Sequence, residues 1–433
     1  MHDIKEIRTN PEQFVAKLKS RGEKVDIQQI LDLDSTKKEL TAELDILRQK
    51  RNSSSKQIGT AKKSGKDTSE VEGKIKQLNQ DLKTGVDKER ELGEKLNAML
   101  LTIPNVPNDS APAGLTEAEN IVIRTVGEEL EYDFNPLDHI AIGQRLGMLD
   151  FKRAGKITGT GFPLWTGSGA ALERAIINFM LDLQTETHGY HEVLTPFMAN
   201  RESMTGTGQI PHLEEDMYKI EQDELFLIPT SEVTIVNMHR DEVIEEKHLP
   251  LRYSAYSPCF RREAGAHGHN TRGFLRVHQF NKVEMVQFVR PEHSAQVWRK
   301  MIGHAEEVLK RLEVKYRVLH LCAGDMGFQA AECCDLEVWA PADGGKWLEV
   351  SSVSNCLDFQ ARRANIRIRP ASGGKSYFPH ILNGSGVATS RLIVALLETF
   401  QTVEGSFIIP TALRPYMHGK TLITKKDAVG LSS

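Results

Sequence analysis

The sequence predicts an α+β protein: an N-terminal antiparallel α-helical coiled-coil hairpin, then a larger domain whose antiparallel β-sheet is flanked by helices. Three observations carry this. Leu33, Leu40 and Leu47 recur every seven residues, with Leu44, Arg51 and Ile58 interleaved, in a stretch (33–100) that has no proline and no aromatic residue. A second seam (Val71, Ile75, Leu78, Leu82, Leu92, Leu96, Met99) follows the turn-like Lys63-Ser64-Gly65-Lys66-Asp67. Beyond residue 118, several β-rich runs succeed one another without helices between them, which disfavours a doubly wound parallel sheet.

Residues 1–30 read as a short helix-rich lead-in. The two seams make arms about 45 Å long at ~1.5 Å rise per residue, with Gly85 and Glu89 interrupting the second. The expected divisions are 1–102, a Pro-rich linker at 103–117 (Pro104, Pro107, Pro112) and a second domain at 118–433. Within the last, amphipathic helices are expected at 172–187, 295–312 and 391–400. Strands are expected at 225–228, 282–289, 316–321, 337–340 and 347–353.

Composition excludes several classes. The 433 residues carry 55 Lys+Arg against 59 Asp+Glu, a net charge of −4, so a uniformly basic nucleic-acid binder is ruled out. A local basic patch is not. Between 46 and 66 there are seven basic residues (Arg48, Lys50, Arg51, Lys56, Lys62, Lys63, Lys66) and no acidic one. That stripe is either a solvated coiled-coil face or a contact to a phosphate backbone. Five cysteines without a CxxC pair argue against a disulfide framework and against zinc. Residues 1–5 hold no apolar core of a leader and no run suits a membrane span, so a cytoplasmic, reducing setting is expected.

Gly374-Lys375-Ser376 imitates the end of a phosphate-binding Walker loop, but Arg369 stands where that loop needs glycine. The segment from Cys259 to Glu284 reads as strand, loop, strand. Alternation aims Arg261 and Glu263, with Arg276, His278, Phe280, Lys282 and Glu284, at one face. Such a set fits either a phosphate-bearing ligand with a stacked base or an ordinary solvent-facing hairpin. Residues 382–391 read as a Gly-rich turn opening a helix that carries Arg391. Thr230-Ser231-Glu232 alone reads as a helix N-cap box. The helix at 172–187 and the strand ending in Pro196 suit either core or a dimer interface.

In this order and spacing, the segments resemble motifs 1, 2 and 3 of class II aminoacyl-tRNA synthetases. Thr230-Ser231-Glu232, the run from Arg272 to Glu284, Glu349-Val-Ser-Ser352, Phe359-Gln-Ala-Arg-Arg363 and Asn383-Gly-Ser-Gly386 narrow the resemblance to seryl-tRNA synthetases of the bacterial type. The N-terminal hairpin belongs to the same pattern, so the resemblance covers essentially the whole chain. It implies a class II synthetase catalytic domain at 118–433 and a tRNA-binding arm at about 33–100.

The resemblance also implies residue roles. Arg261, Arg276 and Arg391 would be catalytic. Arg261, Arg262, Glu263, Val277, Phe280, Glu349, Val350, Ser351, Ser352 and Arg391 would bind ATP, with Phe280 stacking on adenine. Glu349 and Ser352 would hold Mg²⁺, and no zinc is expected. Thr230, Ser231, Glu232, Arg261, Glu284 and Ser385 would bind L-serine. Arg48 to Lys66 would track tRNA(Ser), with tRNA(Sec) as a further expected substrate. A homodimer with cross-subunit tRNA binding is implied. Two departures from the family pattern are Ser390, where glycine is frequent, and Cys334, where tyrosine is common. A carrier-protein ligase would lack the hairpin, and a non-catalytic homologue would have lost Arg261, Glu284 or Arg391.

Overall fold

The computed structural model describes residues 1–65, 67–128, 130–263 and 273–428. The chain divides into two units: residues 1–19 with 23–104, and residues 20–22 with 105–433.

The first unit begins with α1 (Ile4–Thr9) and α2 (Pro11–Ser20), followed by the hairpin of α3 (Ile27–Lys63) and α4 (Ser69–Leu101). At ~1.5 Å per residue, α3 spans about 55 Å. It exceeds the expected length because it starts at Ile27, where Asp26 accepts a hydrogen bond from the Gln29 N–H and caps the helix. The seam buries Ile30, Leu44, Leu82, Leu96 and Leu100. Both interruptions have partners. A Cβ on Gly85 would lie 2.5 Å from Leu44 Cδ2, so the missing side chain makes room for that leucine. Glu89 accepts the Thr41 hydroxyl across the hairpin.

The basic stretch is less uniform than its sequence. Arg48 pairs with Asp45 at 2.6 Å, one turn upstream, and Lys62 pairs with Glu72 of α4 at 2.9 Å. A window count misses both, because one carboxylate lies just outside the window and the other arrives from the facing helix. Arg51 is half-buried, while Lys50, Lys56 and Lys63 are exposed. Lys66 lies outside the described residues.

The second unit is organised by eight strands: β1 (Ile121–Val126), β2 (His191–Glu192), β3 (Leu251–Phe260), β4 (Gln279–Val289), β5 (Tyr316–His320), β6 (Glu332–Ala340), β7 (Lys346–Asn355) and β8 (His380–Ala388). Their order is β1-β5-β6-β7-β8-β4-β3-β2. Every pairing is antiparallel except β2 with β3. β4 is buried without a break from Lys282 to Val289, as a central strand covered on both faces must be.

Helices α5 (Ser168–Asp182), α7 (Ser294–Arg311) and α9 (Thr389–Thr399) cover the sheet. The short α6 (Glu232–Asn237) and α8 (Phe359–Arg363) lie between them in sequence. In α7 the buried Trp298, Met301, Ile302, Ala305, Val308 and Leu309 follow helical spacing. From Leu392 to Leu397 α9 is buried on every side, so it belongs to the core.

Two expectations change. Residues 382–388 are strand β8, not a turn, and the helix that carries Arg391 starts at Thr389. The glycines reflect crowding: a Cβ on Gly384 would lie 3.0 Å from Val353, and one on Gly386 3.3 Å from Gln184 Nε2. The linker residues from 105 onward are also not a free spacer. Asn105 N–H donates to Phe328 O, Asn108 N–H to Ala331 O, and Ala323 N–H to Pro112 O, at 2.8–2.9 Å. Arg21, buried and grouped with this unit, donates to the carbonyls of Asn105, Met326, Gly327 and Ala330 at 2.7–2.9 Å.

All five cysteines are free and buried. Among the described residues, no helix is long and apolar enough to cross a membrane.

Candidate active site

A cavity of about 690 Å³ opens over the middle of the sheet, lined by β4, β7 and β8, the ends of the β3–β4 hairpin and the start of α9. It has two chemically distinct ends.

One end is acidic and closed. Glu232, in the first turn of α6, is 3% exposed, and its Oε1 accepts from Gln360 Nε2 at 2.5 Å and Asn383 Nδ2 at 2.9 Å. Burial, and then the neighbouring Glu284, push the Glu232 carboxyl up to about 7, against the Gln360 bond and the charges of Lys282 and Arg261. Glu284 faces Ser385 on β8 in direct register. The Lys282 ammonium lies 2.6 Å from Glu284 Oε2, outside hydrogen-bond geometry, so that buried oxygen keeps unused acceptor capacity. Thr230 lines this end, and its hydroxyl accepts the Glu232 N–H at 3.2 Å.

The other end is cationic and open. Arg261 follows β3 directly. Its N–H donates to His278 O at 2.9 Å, which closes the hairpin, and its guanidinium sits 5.2 Å from the Phe280 ring centroid. Arg276 is ion-paired with Glu263. Arg391 donates from Nε to Leu275 O at 3.1 Å and from Nη1 to Glu349 Oε2 at 3.2 Å, so it is held from both sides. Val277, Val350, Ser351 and Ser352 complete the lining, with the Ser351 hydroxyl donating to Ser385 O at 2.6 Å.

Most of the residues singled out from sequence therefore converge on one cavity. Three do not line it. Arg262 is exposed and its backbone N–H goes to Asp216 O. Ser231 is fully buried and its hydroxyl donates to Ala255 O. The His278 ring turns back to the Arg261 carbonyl at 3.1 Å, because Arg261 and Arg276 lie beyond the paired strands, where alternation no longer sets the facing. Arg272 lies outside the described residues. Gln360 and Asn383, which hold Glu232, carry no local signal of that role. Lys282 stood in the alternating set, two positions before Glu284 on the same strand face, and that spacing is the signal for their pairing.

For a divalent cation the oxygen donors at hand would be Glu349 and Ser352 on β7, both of which line the cavity. Asp335 lies opposite Ser352 in register, and burial followed by the Glu349 charge pushes its carboxyl well up. Carboxylate and hydroxyl oxygens are hard donors, and they fit a hard cation whose remaining ligands come from phosphate and water. Among the described residues, no group of three or more His, Cys, Asp or Glu side chains is arranged to hold a metal alone.

Residues 1–107 match the seryl-tRNA synthetase N-terminal domain, and residues 217–400 match the tRNA synthetase class II core domain (G, H, P, S and T). The chain is 50% identical over 426 residues to the serine–tRNA ligase of Alkaliphilus oremlandii, covering 98% of this chain and 100% of that protein. It is 48% identical over 417 residues to that of Caldanaerobacter subterraneus subsp. tengcongensis, covering 96% and 98%. The crystal structure of seryl-tRNA synthetase from Pyrococcus horikoshii complexed with ATP superposes with a TM-score of 0.91 at 37% identity, covering 98% of this chain and 99% of that one.

Proposed function

The chain belongs to the seryl-tRNA synthetases, and from that premise we propose how its residues divide the work. The enzyme activates L-serine with ATP and transfers the seryl group to the 3′ end of tRNA(Ser). A serine carboxylate oxygen bonds to the α-phosphorus, the bond from that phosphorus to the bridging oxygen breaks, and pyrophosphate leaves. The terminal ribose hydroxyl then bonds to the acyl carbon, losing its proton, as the bond to AMP breaks. Neither step needs a protein nucleophile, so positioning and charge stabilisation are what the protein must supply.

The observation that carries the division is the buried Glu232–Glu284–Lys282 end of the cavity. Glu232 takes the serine ammonium. Glu284, with its spare acceptor oxygen, and Ser385 take the hydroxyl, with Thr230 alongside. A site built around a hydroxyl rejects alanine, because alanine leaves a buried polar group unpaired. Phe280 and Arg391 bracket the adenine, and Arg261 and Arg276 face the phosphates. The Arg276–Glu263 ion pair opens so that Glu263 meets the adenine amino group. Val277, Val350 and Ser351 line the nucleotide, while Arg262 and Ser231 act at most through their backbones. Glu349 and Ser352 would hold Mg²⁺, which would neutralise phosphate charge there, and no zinc is required.

The hairpin within 1–102 is the tRNA-binding element, through Lys50, Lys56, Lys63 and their neighbours. We take 118–433 as the catalytic domain, tRNA(Sec) as a second substrate and the cytoplasm as the location. Leu194, 80% exposed, and Met198 flank Pro196, and this apolar patch supports a homodimer; within it, one subunit's arm would serve the tRNA charged by the other.

Serine-dependent exchange of pyrophosphate into ATP tests the reading. Exchange with serine alone is expected, and Arg391→Ala should lower it by about a thousandfold or more while the melting curve stays intact. Exchange driven by another amino acid, or near-normal exchange in Arg391→Ala, overturns the assignment.

A further inference from the structure

Arg391 has a second fastening, and it runs through a histidine that does not line the cavity. Arg391 lies in the first turn of α9. Glu398 lies seven residues on, two turns along the same face. Glu398 is fully buried. Its Oε1 accepts from His139 Nδ1 at 3.0 Å and from the His139 backbone N–H at 3.2 Å, and its Oε2 accepts the Ala342 N–H at 3.2 Å. His139, 3% exposed, opens a short helix, His139–Arg145, capped by Asp138, whose carboxylate accepts the Ala141 N–H at 2.7 Å.

The other ring nitrogen of His139, Nε2, accepts the Phe274 N–H at 3.3 Å. A backbone N–H can only donate, so Nε2 carries no proton and the ring proton sits on Nδ1, facing Glu398. The chain passes this nitrogen closely. Gly273 has a φ of +70°, and a Cβ there would collide with His139 Nε2. Phe274 is also held by its ring, which stacks on Trp165 with centroids 4.5 Å apart and planes 4° from parallel. The next carbonyl, Leu275 O, is the one that accepts from Arg391 Nε, and Arg276 follows it.

The bonds close a ring: from Arg391 to Leu275, back one residue to Phe274, through His139 to Glu398, and along α9 to Arg391. One hydrogen bond alone would let the segment swing about the arginine. A second link two turns away fixes how that segment lies against α9. We propose that His139 is a positioning residue for adenylate formation. It holds Phe274 so that Leu275 O keeps the Arg391 guanidinium, and the chain aims Arg276, at the place where the phosphates arrive. The inference rests on the assignment of Arg276 and Arg391 to the phosphates given above. Displacements of about 1 Å are enough to slow such a step.

The test uses the full chain and serine-dependent pyrophosphate exchange. His139→Asn keeps a donor toward Glu398 but stops short of Phe274. His139→Gln is one carbon longer and sets its amide oxygen where Nε2 stands. In His139→Asn, kcat should fall about tenfold to a hundredfold, with KM for serine within about twofold of wild type. His139→Gln should recover most of that loss, although the two variants melt close together. Gly273→Ala, which drives a methyl group against Nε2 and leaves the Glu398 bond alone, should repeat the asparagine pattern. Normal kcat in His139→Asn or Gly273→Ala overturns the proposal. So do equal losses in the two His139 variants, a kcat that merely follows melting temperature, or a serine KM that rises as kcat falls. Near-normal exchange in Arg391→Ala would instead sink the phosphate assignment beneath it.

Discussion

The hairpin and the serine end of the cavity encode themselves in opposite ways. The hairpin is one-dimensional: its seam is set by a seven-residue period, and its irregularities at Gly85 and Glu89 are answered by Leu44 and Thr41 on the facing helix. The serine end is assembled across the chain, with Glu232 held by residues 128 and 151 positions away. A periodic element tolerates local change because neighbouring layers repeat the same contact. A convergent site has no spare copy of any group.

Removing residues 33–100 and rejoining the ends through a short glycine linker is the bluntest way to break the comparison. Charging of tRNA should fall to background while pyrophosphate exchange persists. Retained charging would show that the hairpin's basic residues are merely solvated.

Glu232→Gln probes the convergent end. The ionised carboxylate is the form that takes an ammonium, and its pKa is held up to about 7. In wild type, kcat/KM for serine in exchange should therefore rise about tenfold per pH unit below 7 and level off above it. The variant should be slower by about one to two orders of magnitude at pH 8 and show a flattened profile. Stability should move the other way. The unfolded chain sheds this proton near 4.5 and the folded one near 7, so the penalty on the fold grows as pH rises between those values and is constant above them. Glu232→Gln should melt above wild type at pH 7.5, with the gap closing by pH 4.5. An unchanged profile would place the ammonium elsewhere.

The smallest effect is expected from Gly73→Ala. Nothing lies within 4 Å of a Cβ there, so the substitution should stabilise α4 by about 0.5–1 kcal/mol. Slower amide exchange in α4 with unaltered serine activation would confirm that a periodic arm absorbs such changes.

The same contrast explains what could be read from sequence. The two helical seams, the helix at 294–311 and strands β4 to β7 announce themselves by period. Motif residues such as Arg261, Phe280, Glu284 and Arg391 stand in recognisable runs and meet in one cavity. Strand β8 did not announce itself, because Gly384 and Gly386 look like a turn until neighbouring strands are packed against them. Residues 105–114 read as a spacer because their hydrogen-bond partners lie more than 200 positions away. The roles of Gln360 and Asn383 depend on long-range proximity alone. A fragment beginning at 118 would strip those partners from the loop that carries Phe328.

The raised Glu232 carboxyl has one more consequence. Burial and Glu284 hold the free carboxyl up to about 7, so it retains a proton into the neutral range, and seating an ammonium beside it favours release of that proton. Filling the site is thus partly an acid dissociation. The heat of serine binding should change with the ionisation enthalpy of the buffer, and acidification of the surrounding medium should act as a brake on amino-acid loading that no dedicated regulator has to apply.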